Sequence, residues 1–544
     1  MSRGRTPLFR TLMQAIHQAH WINRNPDKEQ LFYEARDASR VSRRDFVRLV
    51  GAAGFATAAG GMLPRRARGQ EAQPAVPAGG GNPVAILGAG IAGLTAAYRL
   101  QKAGVPCEIF EASDRTGGRM FTRYDFNKDG MFCELGGELV DTDHEDLITL
   151  AGELGVEIQE LKAEDKGVDL YYFGGKHYAD EQLIPLFQPF AKRLAEDQAP
   201  LYNEAEDFLT EPAAKFDKIS MAEYLSDAGK GVEKWVIDMI RTAYVIEYGR
   251  DAEEQSALNL ITYLEPDTTD GFKIFGSSDE SKRIEGGSST LPNALVRALE
   301  GKVKINRGYQ LVKVSGSAAG MGLTFTTSGG TKTVKFTRVI CTLPFTTLRL
   351  VEGVQALPIS PEKKESIAKL GYGNNAKVML GFTERWWRNP AVQLPAPSNG
   401  SLFTDLPFQC IWETSRGQAG ESGILTNYLG GSAAKQFTAA RFDAIKGELD
   451  RVFPGIKEKF DGKRAMMNWP EYKLTKGSYA CPLVGQYLTS LAAAPGAELD
   501  GRLIFAGEHT SGDYSGFMNG AVESGNRAAQ EILGVGKEAA PVAA

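Results

Sequence analysis

The chain has 544 residues, 62 Lys plus Arg against 67 Asp plus Glu, and a formal charge of −5. Hydrophobic residues at 42% and charged residues at 24% describe an ordinary folded protein and exclude a disordered or collagen-like one. The charge is unevenly spread: residues 1–69 carry 13 basic and 5 acidic side chains, a balance of +8, which leaves residues 70–544 at −13. An acidic body without a basic run argues against nucleic acid as a partner, because phosphate contacts need clustered Lys and Arg.

The basic end reads as an address. Ser42-Arg43-Arg44-Asp45-Phe46-Val47-Arg48 precedes a run from Leu49 to Leu63 made mostly of Ala, Gly, Val, Phe and Leu. That run is shorter than the ~20 residues that cross a bilayer, so no stable membrane span is expected. The arginine pair and the weakly apolar run resemble a twin-arginine export signal, with Ala67-Arg68-Gly69 as a small-x-small cleavage site. The resemblance implies the export machinery as a partner and a periplasmic or secreted location. Residues 70–82, rich in Pro, Ala and Gly, read as a flexible linker.

Next, Val84 to Leu87 is a short apolar run of strand type, and it meets Gly88-Ala89-Gly90-Ile91-Ala92-Gly93. Leu94 to Ala103 shows helical spacing, and a second strand, Val105 to Phe110, ends at Glu111. Strand, G-x-G-x-x-G, helix, strand and acid in this order form a dinucleotide-binding fingerprint. Gly88 permits the tight turn, Gly90 lets a pyrophosphate approach the backbone, and Gly93 lets helix and strand pack closely. The helix N-terminus offers free N–H groups and partial positive charge to phosphates. Glu111 stands where a carboxylate grips ribose hydroxyls.

Glu111-Ala112-Ser113-Asp114-Arg115-Thr116-Gly117-Gly118-Arg119 matches the pattern E-A-x-x-R-x-G-G-R, and with it the chain resembles the flavin-containing amine oxidase family, which includes monoamine oxidases and L-amino acid oxidases. Cys133-Glu134-Leu135-Gly136-Gly137-Glu138 is similar to that family's segment beneath the flavin, and Arg283 to Ser288 to its central glycine pair. Val303 to Val312 resembles the strand pair at the adenine, with Tyr309 at the backbone contact. Phe505 to Thr510, followed by Gly516 to Gly525, resembles the closing motif, in which a glycine-rich turn enters a helix aimed at the isoalloxazine. These matches run in family order from Val84 to Leu533.

The resemblance implies an α/β fold in which an FAD-binding Rossmann-like domain is interleaved with a substrate domain of mixed sheet and helices. The FAD domain is expected over 83–155, 280–368 and 473–536, and the substrate domain over 156–279 and 369–472. A helical lid is expected from Leu183 to Leu209 and Met221 to Ile261, and a flexible tail at 537–544. FAD would be held by Gly88, Gly90, Ile91, Ala92, Gly93, Glu111, Ala112, Arg115, Gly118, Arg119, Gly136, Gly137, Glu138, Tyr309, Glu508, Gly516, Phe517 and Met518.

Four residues carry the implied chemistry. Asn375 to Phe382 alternates as a strand, with Ala376, Val378, Leu380 and Phe382 on one face and Lys377 on the other. Such a lysine is ordinarily solvated, but Lys377 matches the family lysine that holds a water against flavin N5. Trp469 matches a tryptophan flanking the flavin, while Tyr479 and Phe517 match two walls of an aromatic cage. Desolvation there lowers an amine's pKa and favours the neutral form that can lose hydride. Ser478 stands where monoamine oxidases place the cysteine that bonds the flavin, so non-covalent FAD is expected.

Five cysteines (Cys107, Cys133, Cys341, Cys410, Cys481) are scattered without a C-x-x-C, which fits neither a disulfide framework nor a zinc site. His17, His20, His144, His177 and His509 make no ligand pattern, and no metal is expected. The expected substrate is a small amine, oxidised by hydride transfer to flavin N5, with O2 as acceptor and H2O2 as product. An L-amino acid oxidase is the alternative. It needs an arginine for the substrate carboxylate, and Leu139 occupies that position, whereas Thr404-Asp405-Leu406-Pro407 resembles a segment of those enzymes. Carotenoid desaturases and protoporphyrinogen oxidases share the two FAD motifs and form a second alternative, which Lys377, Trp469 and Tyr479 disfavour. A homodimer is among the assemblies open to such a chain.

Overall fold

The computed structural model describes residues 83–534 except 162–166, 204–207, 270, 277, 318 and 439. The export-type segment, the linker and the expected tail lie outside the described residues.

Val84–Leu87 (β1) has all four side chains buried, as a parallel strand covered on both faces requires. Its sheet is completed by Cys107–Glu111 (β2), Lys304–Arg307 (β3), Val339–Cys341 (β4) and Leu503–Phe505 (β5), in spatial order β3-β2-β1-β4-β5. Every pairing is parallel, so each needs a crossover connection. Two of the intervening stretches are long enough to carry a second body of structure. Helices Ile91–Lys102, Thr290–Leu299 and Met518–Leu533 share one apolar core with this sheet. A three-stranded antiparallel sheet, Gln310–Ser317, Gly320–Thr327 and Gly330–Phe336, lies alongside in sequence.

The second large sheet has seven strands, in the order 460–468, 376–382, 423–429, 410–413, 398–404, 168–173 and 176–178. The alternation read from residues 376–382 holds. Ala376, Val378, Leu380 and Phe382 pack with Leu425, Leu429, Leu449 and Phe453 in one core. Met379, from the other face, packs with Met131, Cys133 and Leu135. The chain is thus a mixed α/β protein in which a parallel sheet and a mixed sheet alternate along the sequence.

Several boundaries differ from the sequence expectation, each for a local reason. The first helix begins at Ile91, not Leu94, so Gly93 falls in its opening turn. Val303 to Val312 is no single strand pair: the chain turns at Gly308 (φ +72°), and the two strands join different sheets. The helices expected to form a lid are broken as well. Met221–Ala228, Lys234–Tyr248 and Leu258–Ile261 are separate, interrupted by Gly229 and Gly231 and by Gly249, which ends the middle helix in a left-handed conformation. The earlier stretch starts at Asp180 and stops at Gln198, followed by a short turn over Ala199–Leu201. No helix among the described residues is long and apolar enough to cross a membrane.

Gly93 shows how tight the first unit is, since a Cβ there would lie 2.1 Å from the carbonyl oxygen of Gly88. Gly104 (φ +74°) by contrast has open space around it. Gly93→Ala is therefore expected to cost more than about 3 kcal/mol, against about 1 kcal/mol of backbone strain for Gly104→Ala. Denaturant unfolding of both variants checks the difference.

Candidate active site

The C-terminal ends of β1, β2, β4 and β5 open on one cavity of about 470 Å³, where ligands of open parallel sheets bind. Gly88, Gly90, Ile91 and Ala92 line it after β1, Glu111, Ala112 and Arg115 after β2, Thr342 after β4, and Glu508 after β5. Gly118, Arg119, Gly136, Gly137, Glu138, Tyr309, Gly516, Phe517 and Met518 complete the predicted cofactor set on its wall, with Lys377, Trp469 and Tyr479. Gly93 is the exception: its contact is with Gly88, and its role is packing.

The phosphate end is built from two glycine loops laid against each other. Gly117 donates its amide to Ala89 O at 2.8 Å, and a Cβ on Gly118 would come within 3.1 Å of Gly90 Cα. Side chains cannot intrude there, so backbone can approach a pyrophosphate. Glu111 accepts the amides of Ala89 and Ser113, one on each oxygen at 2.8 Å, which leaves lone pairs on both for a diol. Helix Met518–Leu533 has no acidic residue in its first turn, so its N-terminal charge is not cancelled there.

Two predicted residues on this wall also have partners within the protein. The Tyr309 amide is spent on Glu111 O at 2.8 Å, so it is not available to a cofactor, and its ring packs on Phe110 and Phe325. Leu311 and Val312 line the cavity beside it, where the strand is bulged between Leu311 and Lys313. Arg119 is a brace. It donates to Glu508 Oε1 at 2.8 Å and to Ser478 O, while Glu508 Oε2 accepts the amide of Gly516 at 2.9 Å. One buried carboxylate thereby ties three distant parts of the chain together.

At the other end, Lys377 is 3% exposed, not solvated. Its ammonium donates to Glu138 Oε2 at 2.7 Å and to Gly136 O at 3.0 Å, and it sits 5.1 Å from the centre of the Trp412 ring. Burial alone would push the Glu138 carboxyl up. Lys377, with a hydrogen bond from Thr414, more than reverses this and holds it below its ordinary value. Trp469 is pinned by its indole N–H to Leu135 O at 3.1 Å, against Gly136, where no Cβ would fit. The Tyr479 hydroxyl donates to Glu247 O and meets Tyr428 Oη at 2.9 Å, and enclosure pushes both phenols above their ordinary range. Phe517 packs edge-on against His144, with ring centres 5.2 Å apart.

Sequence reasoning missed Trp412, Tyr428, Glu247, Glu280 and Asp141, which share this end of the cavity. Tyr428 was within reach, since it is the cross-strand neighbour of Lys377 and falls on the same face. Thr404-Asp405-Leu406-Pro407 lines none of the cavity; Asp405 accepts the Gly174 amide and Leu406 is core, so the segment is a turn. Cys481 is buried and its thiol is pushed up to about 12.

Removing one partner of the Lys377–Glu138 pair strands the other charge. Glu138→Gln should cost about 3–5 kcal/mol, and Glu138→Gln combined with Lys377→Met should regain most of that. Chemical denaturation of the single and double variants measures it.

Residues 91–533 match the family model described as flavin containing amine oxidoreductase. The L-amino-acid oxidase of Vipera ammodytes ammodytes is 24% identical, over 82% of this chain and 92% of that protein. That of Gloydius blomhoffii is 25% identical, over 82% and 88%. Among solved structures, cyclohexylamine oxidase from Brevibacterium oxydans IH-35A superposes with a TM-score of 0.70 at 21% identity, covering 83% of this chain and 99% of that one. Putrescine oxidase bound to putrescine gives 0.69 at 21%, with the same coverage. The match over most of the chain, on a fold whose motifs gather around one cavity, makes this protein a member of the flavin-containing amine oxidoreductase family.

Proposed function

We propose that the chain uses FAD to oxidise the CH–NH2 or CH–NHR group of an amine. The imine product takes up water to give an aldehyde or ketone and ammonia or an amine, with O2 as electron acceptor and H2O2 as product. The observation carrying this reading is the lining of the substrate end. Tyr428, Tyr479, Trp412, Phe517 and Leu139 supply apolar and aromatic surface, and no arginine stands among them. Lys377, the cation the cavity does hold at this end, is already paired with Glu138, and a buried substrate carboxylate without a cation of its own would be prohibitive.

The residues present fit FAD: glycine loops without Cβ atoms for the pyrophosphate, Glu111 for a ribose, and a helix N-terminus for the redox ring. When bound, FAD supplies the two-electron acceptor for the C–H bond beside the amine nitrogen. The enclosing rings exclude water and favour the neutral amine. Lys377 would set a positive charge against the ring system and hold a water there. Ser478 donates its hydroxyl to Asn375 and offers no thiol, so FAD is bound non-covalently in this reading. Acid precipitation should then leave all the yellow colour in the supernatant.

L-amino acid oxidation is the second reading, favoured by the names of the curated relatives. Anaerobic mixing of the yellow protein with an amine panel and an amino acid panel separates the two. Bleaching by amines is expected; bleaching by amino acids alone would replace the first reading with the second. Peroxide formation on admitting air tests the acceptor.

The basic first 69 residues, in this proposal, direct export to the periplasm or beyond. Arg43→Lys with Arg44→Lys should hold the protein in the cytoplasm, as fractionation would show.

A further inference from the structure

Asn375 stands two residues before Lys377, fully buried, and lines none of the cavity. Its carboxamide is nevertheless bonded at both ends. The nitrogen donates to Ile246 O at 2.7 Å, and the oxygen accepts the Ser478 hydroxyl. A backbone carbonyl can only accept, so the amide has one orientation, nitrogen toward Ile246 and oxygen toward Ser478. The main-chain carbonyl of Asn375 takes the Trp469 amide at 3.2 Å.

Two glycines make room for this side chain. A Cβ on Gly249 would lie 2.1 Å from Asn375 Oδ1, and one on Gly373 would lie 2.8 Å from that oxygen and 2.5 Å from Ser478 Oγ. Gly249 ends helix Lys234–Tyr248, and the Ile246 and Glu247 carbonyls belong to its last turn, where helical amides run out. Ile246 O goes to Asn375, and Glu247 O to the Tyr479 hydroxyl. Gly373 closes the main chain between them: its amide donates to Tyr479 O at 2.8 Å, and its carbonyl accepts the Ser478 amide at 2.9 Å. Tyr479 is thus fixed at both ends, its main chain to the segment before Lys377 and its hydroxyl to the helix. Asn375 is the side chain that joins segment, helix and loop.

Building on the amine-oxidase reading, we propose that Asn375 is a positioning residue for the oxidation, setting the Tyr479 ring relative to Trp469 and to the strand that bears Lys377. Hydride transfer demands a close and directed approach, and a misplacement of about 1 Å can cost on the order of a hundredfold in rate. Asn375 acts by geometry alone and never touches the ligand. No apolar side chain could replace it, since the position must donate to a carbonyl and accept from a hydroxyl at once.

Aspartate has nearly the same shape and a proton that can be removed. Neutral, it can donate to Ile246 O and accept from Ser478; ionised, it sets a carboxylate against that carbonyl and has no donor to offer. Burial raises such a carboxyl above its ordinary range, so the competent form persists below that raised value and is lost above it. Arg119 and Glu508 beyond Ser478, Glu247 and Arg250 at the helix end, and Lys377 on the strand are common to parent and variant. The ratio of the two rates at each pH therefore isolates the new group.

The test follows flavin reduction in the FAD-loaded enzyme, mixed anaerobically with n-butylamine, benzylamine or L-leucine, whichever reduces the parent fastest. Asn375→Ala should lower the limiting rate about ten- to a hundredfold while the dissociation constant moves less than about threefold, a split that loss of fold does not give. Asn375→Asp should approach the parent rate at the acid end and fall away as pH rises. Ser478→Ala, which removes one of the two bonds, should lie between the parent and Asn375→Ala. Absorbance and visible circular dichroism of the bound flavin check the fold of each variant; where Asn375→Ala sheds its flavin, the isosteric Asn375→Asp and the milder Ser478→Ala carry the test. A ratio of Asn375→Asp to parent that is flat with pH overturns the role and leaves amine oxidation standing, as does a limiting rate of flavin-loaded Asn375→Ala within about twofold of the parent. A parent reduced by none of the three compounds overturns the oxidase reading and the role with it.

Discussion

Lys377 and Glu138 meet with 4% and 7% of their side chains exposed, one from the seven-stranded sheet and the other from the segment that follows the two glycine loops. Neither charge could be kept there alone, because the cost of taking an ion out of water is recovered only by its partner. The pair depends on strand register. Lys377 stands between Ala376 and Val378, which are fully buried on the opposite face, and a slip of one residue would drive the ammonium into that core. The apolar face of residues 376–382 thus decides where the ammonium goes, and the Glu138 carboxylate accepts its hydrogen bond there.

A comparable constraint acts at the cofactor end through backbone proximity. Gly88 with Gly93, Gly90 with Gly118, and Gly136 with Arg119 O are contacts in which a single added carbon would collide with main chain or press hard on it. Glu508 adds the electrostatic half of the same assembly, since its two oxygens take Arg119 and the Gly516 amide. The result is a cavity whose walls come from residues more than 400 positions apart, held by groups with little freedom to move. Preorganisation of this kind lets fixed dipoles and charges act on a ligand without first having to be oriented.

The sequence determined by itself whatever depends on a few neighbouring residues. Glycines at turns, the strand–helix–strand order after Val84, the alternation around Lys377 and the glycine-rich entry to the last helix all follow from backbone conformation and side-chain period, which are local properties. The helices between residues 180 and 261 were legible as helical but not in their breaks, because Gly249 stops a helix only when the following chain is drawn away to its own partners. Tertiary structure decided the rest. It spent the Tyr309 amide on Glu111 and gave Arg119 partners in Glu508 and Ser478. It also brought Trp412, Tyr428, Glu247 and Glu280 to one end of one cavity. Nothing in the local sequence marks Trp412, Glu247 or Glu280, since an aromatic wall or a carboxylate at a cavity is defined by what surrounds it in space, and those surroundings arrive from strands and turns far away along the chain.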